Sequence, residues 1–345
     1  MMQALRLTAN QTLELLDIPI PVPGAGQVRV RIQYLALNHI DCYGFRGMAF
    51  AKRKLPITIG AEAMGVVDSV GVGVQNNLIG QSVALSAGTV CGSCGACRDG
   101  RENLCENAGG INGFHTDGFA AQYAVVNANQ AFRVPGGVDP VHAACATTTF
   151  ATVQHMLFDN AKLTSGQIIL VHAGGSGIGS TAIRFAKSVG ATVIATAGTE
   201  EKCTKCIELG ADHVVNYRTD RFDRFVRRLT KKCGVDVVFE HVGPDTWAGS
   251  LLSLKKGGIL VTCGSTSGIQ AETNLMHLFN QQIRIFASFG GTFENVRRGL
   301  EKMKYAETTP VINEIIPIAE IERALQRLLN RDVFGKIVVD LTALG

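Results

Sequence analysis

From about Gln167 to Ser288 the chain alternates short apolar runs with stretches of helical periodicity. The runs Gln167–Ala173, Ala191–Thr196, His213–Asn216, Val235–Glu240, Ile259–Cys263 and Ile283–Ala287 are strand-like in length and rich in Val and Ile. Helices are expected between them, stopping at Gly190, Gly210 and Gly257, where glycine can take the left-handed cap conformation. Six such units in a row predict a parallel, doubly wound sheet. Residues 1–130 read differently, as short strands broken by Pro19, Pro21, Pro23, Gly24, Gly26, Gly71 and Gly73, closer to an irregular β-barrel. About fifty C-terminal residues are expected to return to that half.

A chain of 345 residues, 46% hydrophobic, can bury ample core, and its length suggests two domains. Net charge is +4, too mild to argue for a nucleic-acid partner. The basic cluster Arg218–Lys232 surrounds Phe222, Phe225, Val226 and Leu229, the pattern of an amphipathic helix with a solvated face, an anion-binding surface being the alternative. Ten cysteines are too sparse for a disulfide scaffold and point to a reducing compartment. The N-terminus lacks the blocks of a signal peptide, and no apolar run approaches the roughly 20 residues of a membrane span. A soluble, cytoplasmic protein without a membrane partner is therefore expected.

The first predicted strand runs into Ala173-Gly174-Gly175-Ser176-Gly177-Ile178-Gly179 and then a helix expected to start near Ser180. Strand, glycines and helix together build a turn whose N–H groups and dipole receive a pyrophosphate, with Ser176 where a second glycine usually stands. An NAD site wants a carboxylate at the end of the second strand, whereas an NADP site needs small neutral residues and a cation for the 2′-phosphate. The chain offers Ala195-Thr196-Ala197-Gly198-Thr199 and, a turn later, Lys202. Glu200 and Glu201 lie close to the spacing of a ribose-binding acid, but they fall in the first helical turn, where acids suit the helix dipole. NADPH is the cofactor this pattern favours.

Cys91, Cys94, Cys97 and Cys105 form C-x2-C-x2-C-x7-C in a glycine-dotted loop. Four thiolates make a closed tetrahedral site for Zn²⁺, which can crosslink a loop but has no open position for substrate. One structural zinc per chain is expected, with two disulfides or four unrelated thiols as the alternative.

These features together resemble the medium-chain dehydrogenase/reductase superfamily, that of zinc alcohol dehydrogenases and quinone oxidoreductases, over essentially the whole chain. The resemblance implies a GroES-like β-barrel catalytic domain at 1–134 with a zinc lobe at 91–105, a Rossmann NADPH-binding domain at 135–290, and a return to the catalytic domain at 291–345, closing on Phe334-Gly335-Lys336-Ile337-Val338-Val339. Similarity to the quinone oxidoreductase branch lies at Gly198, Thr199 and Lys202, at Asn216-Tyr217-Arg218, at Gly243–Trp247 and at Cys263–Gly268. In that branch the equivalents of Lys202 and Tyr217 hold the 2′-phosphate, and the resemblance adds Gly264 and Ser265 to the cofactor-binding residues.

Alcohol dehydrogenases of the superfamily bind a catalytic zinc through a Cys in C-H-x-D, a His in G-H-E and a Cys four residues before a Thr. Here those places read Asn38-His39-Ile40-Asp41, Gly60-Ala61-Glu62 and Thr148 before Thr152, so all three ligands are replaced. Cys145 is three places out of register and is expected to be a buried thiol. A site rebuilt from His39, Asp41, Cys42 and Glu62 is conceivable, but a catalytic zinc wants three ligands on converging elements. The loop facing the nicotinamide in resembling proteins reads Asn38-His39-Ile40-Asp41-Cys42-Tyr43, making Asn38, His39, Asp41 and Tyr43 the candidate catalytic residues. Asn38 could donate to the substrate oxygen, Tyr43 could supply the proton or bind that oxygen, and His39 could relay protons or contact the ribose.

The expected activity is NADPH-dependent hydride transfer to a quinone or an α,β-unsaturated carbonyl or enoyl substrate without a catalytic metal. An alcohol or ketone dehydrogenase, and a dinucleotide-binding protein without turnover that senses redox state or binds nucleic acid, stand as alternatives. Loops Phe45–Lys54 and Gly264–Leu275, expected to line the pocket, carry no readable substrate code. The apolar run Ile283, Ile285 and Phe286 on the sheet's outer strand suggests a homodimer or homotetramer joined there. Cys203 and Cys206 read as ordinary helix cysteines, and His155, His172, His213 and His277 as packed or surface histidines.

Overall fold

The computed structural model describes residues 1–47 and 53–344, so 48–52 of the expected pocket loop lie outside the described residues. The chain divides into two compact units, 1–151 with 292–345, and 152–291. Residues 135–151, placed with the nucleotide-binding half on sequence grounds, group with the first unit.

In the first unit the strand Gln27–Ala36 is the hub. It pairs antiparallel with Glu62–Val70, Tyr123–Asn127 and, at its C-terminal end, Lys336–Asp340. Val28, Val30 and Ile32 alternate inward along it and join a core with Leu35, Phe45, Phe119, Ile321 and Val339. Truncating a buried side chain of this kind typically costs about 2–5 kcal/mol. The returning strand, paired through Val338 with Ala36 and through the Ile337 carbonyl with the Leu37 N–H, lands beside the entry to the helix His39–Arg46. The cysteine loop rises from a two-strand ribbon of Gly88–Thr89 and Gly110–Ile111, with the short helix Gly95–Arg98 inside it.

The second unit is one six-stranded, wholly parallel sheet of Ile168–Val171, Thr192–Ala197, His213–Asn216, Val235–Glu240, Leu254–Thr262 and Arg284–Ala287. Numbered along the chain, their spatial order is 3-2-1-4-5-6, that of a Rossmann fold. Leu170, Ile194, Val238 and Leu260 are buried because helices cover both faces, which is why these strands read as apolar runs without alternation. The helices before Gly190 and Gly210 end as expected, both glycines having positive φ. Gly257 differs. The preceding helix stops at Ser253, and Gly257 lies within the strand Leu254–Thr262, whose first residue already pairs with Val235 across a register shift. Sheet pairing begins there before the apolar run does. The helix after the glycine loop starts at Gly177, ahead of the expected Ser180, because Ser176 caps it. The basic segment forms the helix Phe222–Leu229, with Val226 buried and Phe222 and Phe225 packed on the core. Among the described residues no helix is long and apolar enough to cross a membrane.

Candidate active site and cofactor site

In the second unit, the strand Ile168–Val171 leads into a tight loop. The Ser176 hydroxyl donates to the Ala173 carbonyl (2.8 Å) and accepts from the Gly179 N–H (2.9 Å). A side chain at Gly179 would place its Cβ 2.3 Å from the Ala173 oxygen, and one at Gly174 would meet Cys206 Sγ at 2.7 Å. Both glycines thus serve close packing where the helix Gly177–Ser188 begins. Cys206 is buried beneath the loop.

At the end of the second strand, Gly198 leaves room for the Tyr217 hydroxyl, which a Cβ there would meet at 2.4 Å. Thr199 caps the next helix by accepting from the Lys202 N–H. Tyr217 and Lys202 therefore flank one turn. Glu200 accepts from the Asn216 amide, and Glu201 pairs with Lys205 at 2.6 Å, so each acid has a local partner. Gly264 and Ser265 are exposed beyond the fifth strand. Beneath these loops lies a network that sequence reasoning missed. Glu240 accepts from the Val242 and Gly243 N–H groups and from the hydroxyls of Thr246 and Ser250. His172 bonds Ser250 (2.9 Å) and faces Thr196, whose hydroxyl accepts from the Ala173 N–H. Burial lowers His172 to about 4, so it is a neutral packed histidine.

In the cysteine loop the four sulfurs lie within 4.8 Å of one another, Cys91 being 3.9 Å from Cys97 and 3.6 Å from Cys105. A tetrahedral zinc with Zn–S near 2.3 Å needs sulfurs about 3.8 Å apart, so the donor set fits such an ion. N–H groups of Ser93 and Cys94 point at Cys91 Sγ and lower its pKa to about 5, which favours its thiolate, whereas burial and the neighbouring sulfurs push Cys97 up to about 12.

The third cluster lies in the first unit. Glu62, fully buried, accepts through Oε1 from the backbone N–H groups of Thr148 (2.6 Å) and Thr149 (3.0 Å). Its Oε2 accepts from Asn38 Nδ2 (3.0 Å), the Thr149 hydroxyl (3.4 Å) and Lys336 Nζ (3.1 Å). The Lys336 ammonium, 3% exposed, also donates to Asn38 Oδ1 (2.6 Å) and to the Leu37 carbonyl (2.8 Å). The positions that the family resemblance sets against metal ligands are thus drawn together: Asn38 and the Thr148 N–H bond Glu62, which follows Ala61.

The Asn38 amide donates both to Glu62 and to the Ala36 carbonyl. Its two hydrogens are engaged, so the donor role toward substrate oxygen expected of it is taken up inside the protein. His39 and Tyr43 are half-buried on one helix face with their rings edge to face, centroids 5.9 Å apart. Asp41 is buried, accepts from the Asn38 N–H through Oδ2 (2.7 Å), and leaves Oδ1 without a partner. Cys42 and Cys145 are buried thiols pushed up to about 12 by burial. Among the described residues, the group of His, Cys, Asp and Glu placed to share an ion is the cysteine set, and His39, Asp41, Cys42 and Glu62 do not form a second one. Lys336 and Thr149 were not legible as site residues. The one signal was a lysine abutting the apolar run Ile337–Val339.

A Rossmann sheet with a glycine loop, joined to a β-domain bearing a buried polar cluster, defines a two-domain dehydrogenase or reductase. The alcohol dehydrogenase GroES-like domain matches residues 24–136, and the zinc-binding dehydrogenase domain matches residues 177–304. The chain belongs to the medium-chain dehydrogenase/reductase superfamily of oxidoreductases. Crotonyl-CoA carboxylase/reductase of Cereibacter sphaeroides is 30% identical over 302 residues, covering 80% of this chain and 70% of that protein. The 2-haloacrylate reductase of a Burkholderia sp is 27% identical over 333 residues, 90% of each. Among solved structures, an NAD-dependent alcohol dehydrogenase superposes with a TM-score of 0.93 at 35% identity, covering 99% of this chain and all of that one.

The buried Asp41 carries a stability prediction. Burial raises its carboxyl from 3.8 to about 6, the Asn38 N–H and Lys336 opposing the rise and Glu62 adding to it. The folded state therefore binds the proton more tightly, and stability present below pH ~4 is lost as pH rises through ~6, by about 3 kcal/mol. Asp41→Asn keeps an acceptor for the Asn38 N–H and removes the charge. Urea unfolding should show the variant more stable than the parent at neutral pH, with the gain fading toward pH ~4. Equal stability at neutral pH would show that ionised Asp41 carries no such cost.

Proposed function

We propose that the protein is an NADPH-dependent reductase of quinones or α,β-unsaturated carbonyl or enoyl substrates that works without a catalytic metal. The observation that carries this reading is the Asn38–Glu62–Lys336 network. Asn38, Ala61 and Thr148 stand where metal ligands would, and the carboxylate beside them is already held by an ammonium and two backbone N–H groups. Two relatives whose names specify crotonyl-CoA and 2-haloacrylate, both conjugated alkenes, support the substrate class.

When bound, NADPH supplies the hydride. The substrate's β-carbon accepts it, the alkene π electrons move toward the carbonyl, and the charge that reaches oxygen is met by a proton. Tyr43, half-buried on the helix His39–Arg46, is the proposed proton donor, with its ring fixed against His39. For the cofactor, the glycine loop at 174–179 receives the pyrophosphate, and Gly198, Thr199, Lys202 and Tyr217 receive the 2′-phosphate. Support for NADPH comes from the partners of Glu200 and Glu201, which give each acid a role other than binding a ribose. Gly264 and Ser265 complete the proposed cofactor contacts, and Asp41 and Asn38 stay as supports of the catalytic turn. The cysteine set is proposed to hold one structural zinc, which tethers its loop.

The similarity to an NAD-dependent alcohol dehydrogenase favours a second reading, oxidation of a simple alcohol with NAD⁺. A cytoplasmic homodimer or homotetramer is also proposed. The edge strand Arg284–Ala287 exposes Ile285 and Phe286, and Phe279 and Phe289 are exposed too, although Ile283, expected on that edge, is buried in the core.

Three measurements test these statements. NADPH oxidation screened against quinones, enones, enoyl thioesters and ketones should find turnover in the first three classes, and Tyr43→Phe should lower kcat on an enone about 10²–10⁴-fold at little change in NADPH affinity. Rapid alcohol oxidation abolished by chelators would instead establish the second reading. Lys202→Ala should weaken NADPH about tenfold or more and NADH far less, since a charged contact is worth about 1.5–3 kcal/mol. Indifference of the parent protein to the 2′-phosphate would remove that assignment. Metal analysis should give one zinc per chain, lost in Cys94→Ser and kept in Cys203→Ser, with chelation lowering thermal stability. Two zincs per chain would contradict a metal-free reaction.

A further inference from the structure

Burying an ammonium and a carboxylate costs several kcal/mol of hydration per ion, and apolar residues of equal volume often stabilise a fold as well or better. The Lys336–Glu62 pair therefore calls for a reason beyond stability. Its contacts supply one. The three N–H donors of Lys336 meet three acceptors, Leu37 O, Asn38 Oδ1 and Glu62 Oε2, so the ammonium is fixed in direction as well as position. Glu62 is held from the other side by the Thr148 and Thr149 N–H groups. Between them sits Asn38, whose side chain is held by Lys336 at its oxygen and Glu62 at its nitrogen and whose backbone N–H is held by Asp41. Asn38 is the N-cap residue of the helix His39–Arg46, so its orientation sets where the start of that helix presents His39 and, one turn on, Tyr43.

We propose that Lys336 and Glu62 are positioning residues for the reaction, clamping Asn38 and through it the turn that carries His39 and Tyr43. The inference deepens the reductase reading and rests on it for its kinetic part. It separates this lysine from packing: its work is directional, and a neutral pair of the same size would keep the fold and lose the alignment.

Lys336→Met alone strands the Glu62 carboxylate and is expected to fold poorly. The informative protein is the double variant Glu62→Gln with Lys336→Met, in which Gln keeps an oxygen for the Thr148 and Thr149 N–H groups and Met keeps the stem volume. Circular dichroism and NADPH binding within about twofold of the parent would establish that it is folded and loaded. Amide exchange should then quicken at residues 39–43 while the strand Glu62–Val70 stays protected, and kcat should fall about 10–100-fold with KM little changed, the effect of an ångström-scale misplacement. Parental exchange at 39–43, or parental kcat in the folded double variant, overturns the proposal. Failure of the parent to reduce any quinone, enone or enoyl thioester sinks the reductase reading instead. The exchange measurement uses no substrate, so it still decides whether the pair holds the turn.

Discussion

A carboxylate with no access to water must be met by donors from the chain itself, and Glu62 imposes that demand on the first unit. Five donors reach it, from Asn38, Thr148, Thr149 and Lys336, residues separated by up to 298 positions. Meeting the demand requires the strand Lys336–Asp340 to return beside Gln27–Ala36 and the turn Ala146–Phe150 to point its N–H groups at Glu62. Removing one partner from such a cluster leaves an uncompensated charge, typically a loss of about 3–5 kcal/mol. The geometry of the candidate active site and the closure of the β-domain are thus one constraint.

The second unit handles a buried carboxylate by other means. Glu240 is held by two backbone N–H groups and two hydroxyls, with a neutral histidine beyond them. Those donors come from the segment just after the fourth strand and from the helix Pro244–Ser253, and His172, just past the end of the first strand, bonds Ser250 in turn. Hydrogen bonds of this kind fix loops without a mobile side chain at the cofactor surface. Two units with two chemistries, charge compensation in one and dipolar compensation in the other, each hold a loop where chemistry or phosphate binding is expected.

If Asn38, Ala61 and Thr148 stand in the places of three metal ligands, as proposed, what the site can ask of a substrate changes. A Lewis acid can polarise an isolated carbonyl, whereas a hydrogen-bonding site depends on charge that the substrate itself can spread. The cysteine set fits a closed tetrahedral ion, and an ion held that way would offer no such polarisation and would serve only to tether its loop.

Periodicity and local spacing made much of this molecule legible. Apolar runs gave the parallel sheet because both its faces are covered, and Gly174, Gly179 and Gly198 marked places where backbone or a phenol comes within van der Waals reach. Cys91, Cys94, Cys97 and Cys105 were readable as one set because their spacing keeps them in one loop, where their sulfurs lie within 4.8 Å of one another. What the chain did not disclose was decided by strand pairing. Lys336 reaches Asn38 and Glu62 only through the C-terminal return, and Glu240 reaches His172 only across the parallel sheet. Asn38 read as a substrate ligand because its residue type and loop allowed it, and the structure engages its donors on the buried Glu62 carboxylate and the Ala36 carbonyl. Sequence spacing fixes which groups are neighbours along a strand, helix or loop, whereas burial and long-range pairing decide which polar groups must satisfy one another, and that decision belongs to the tertiary structure.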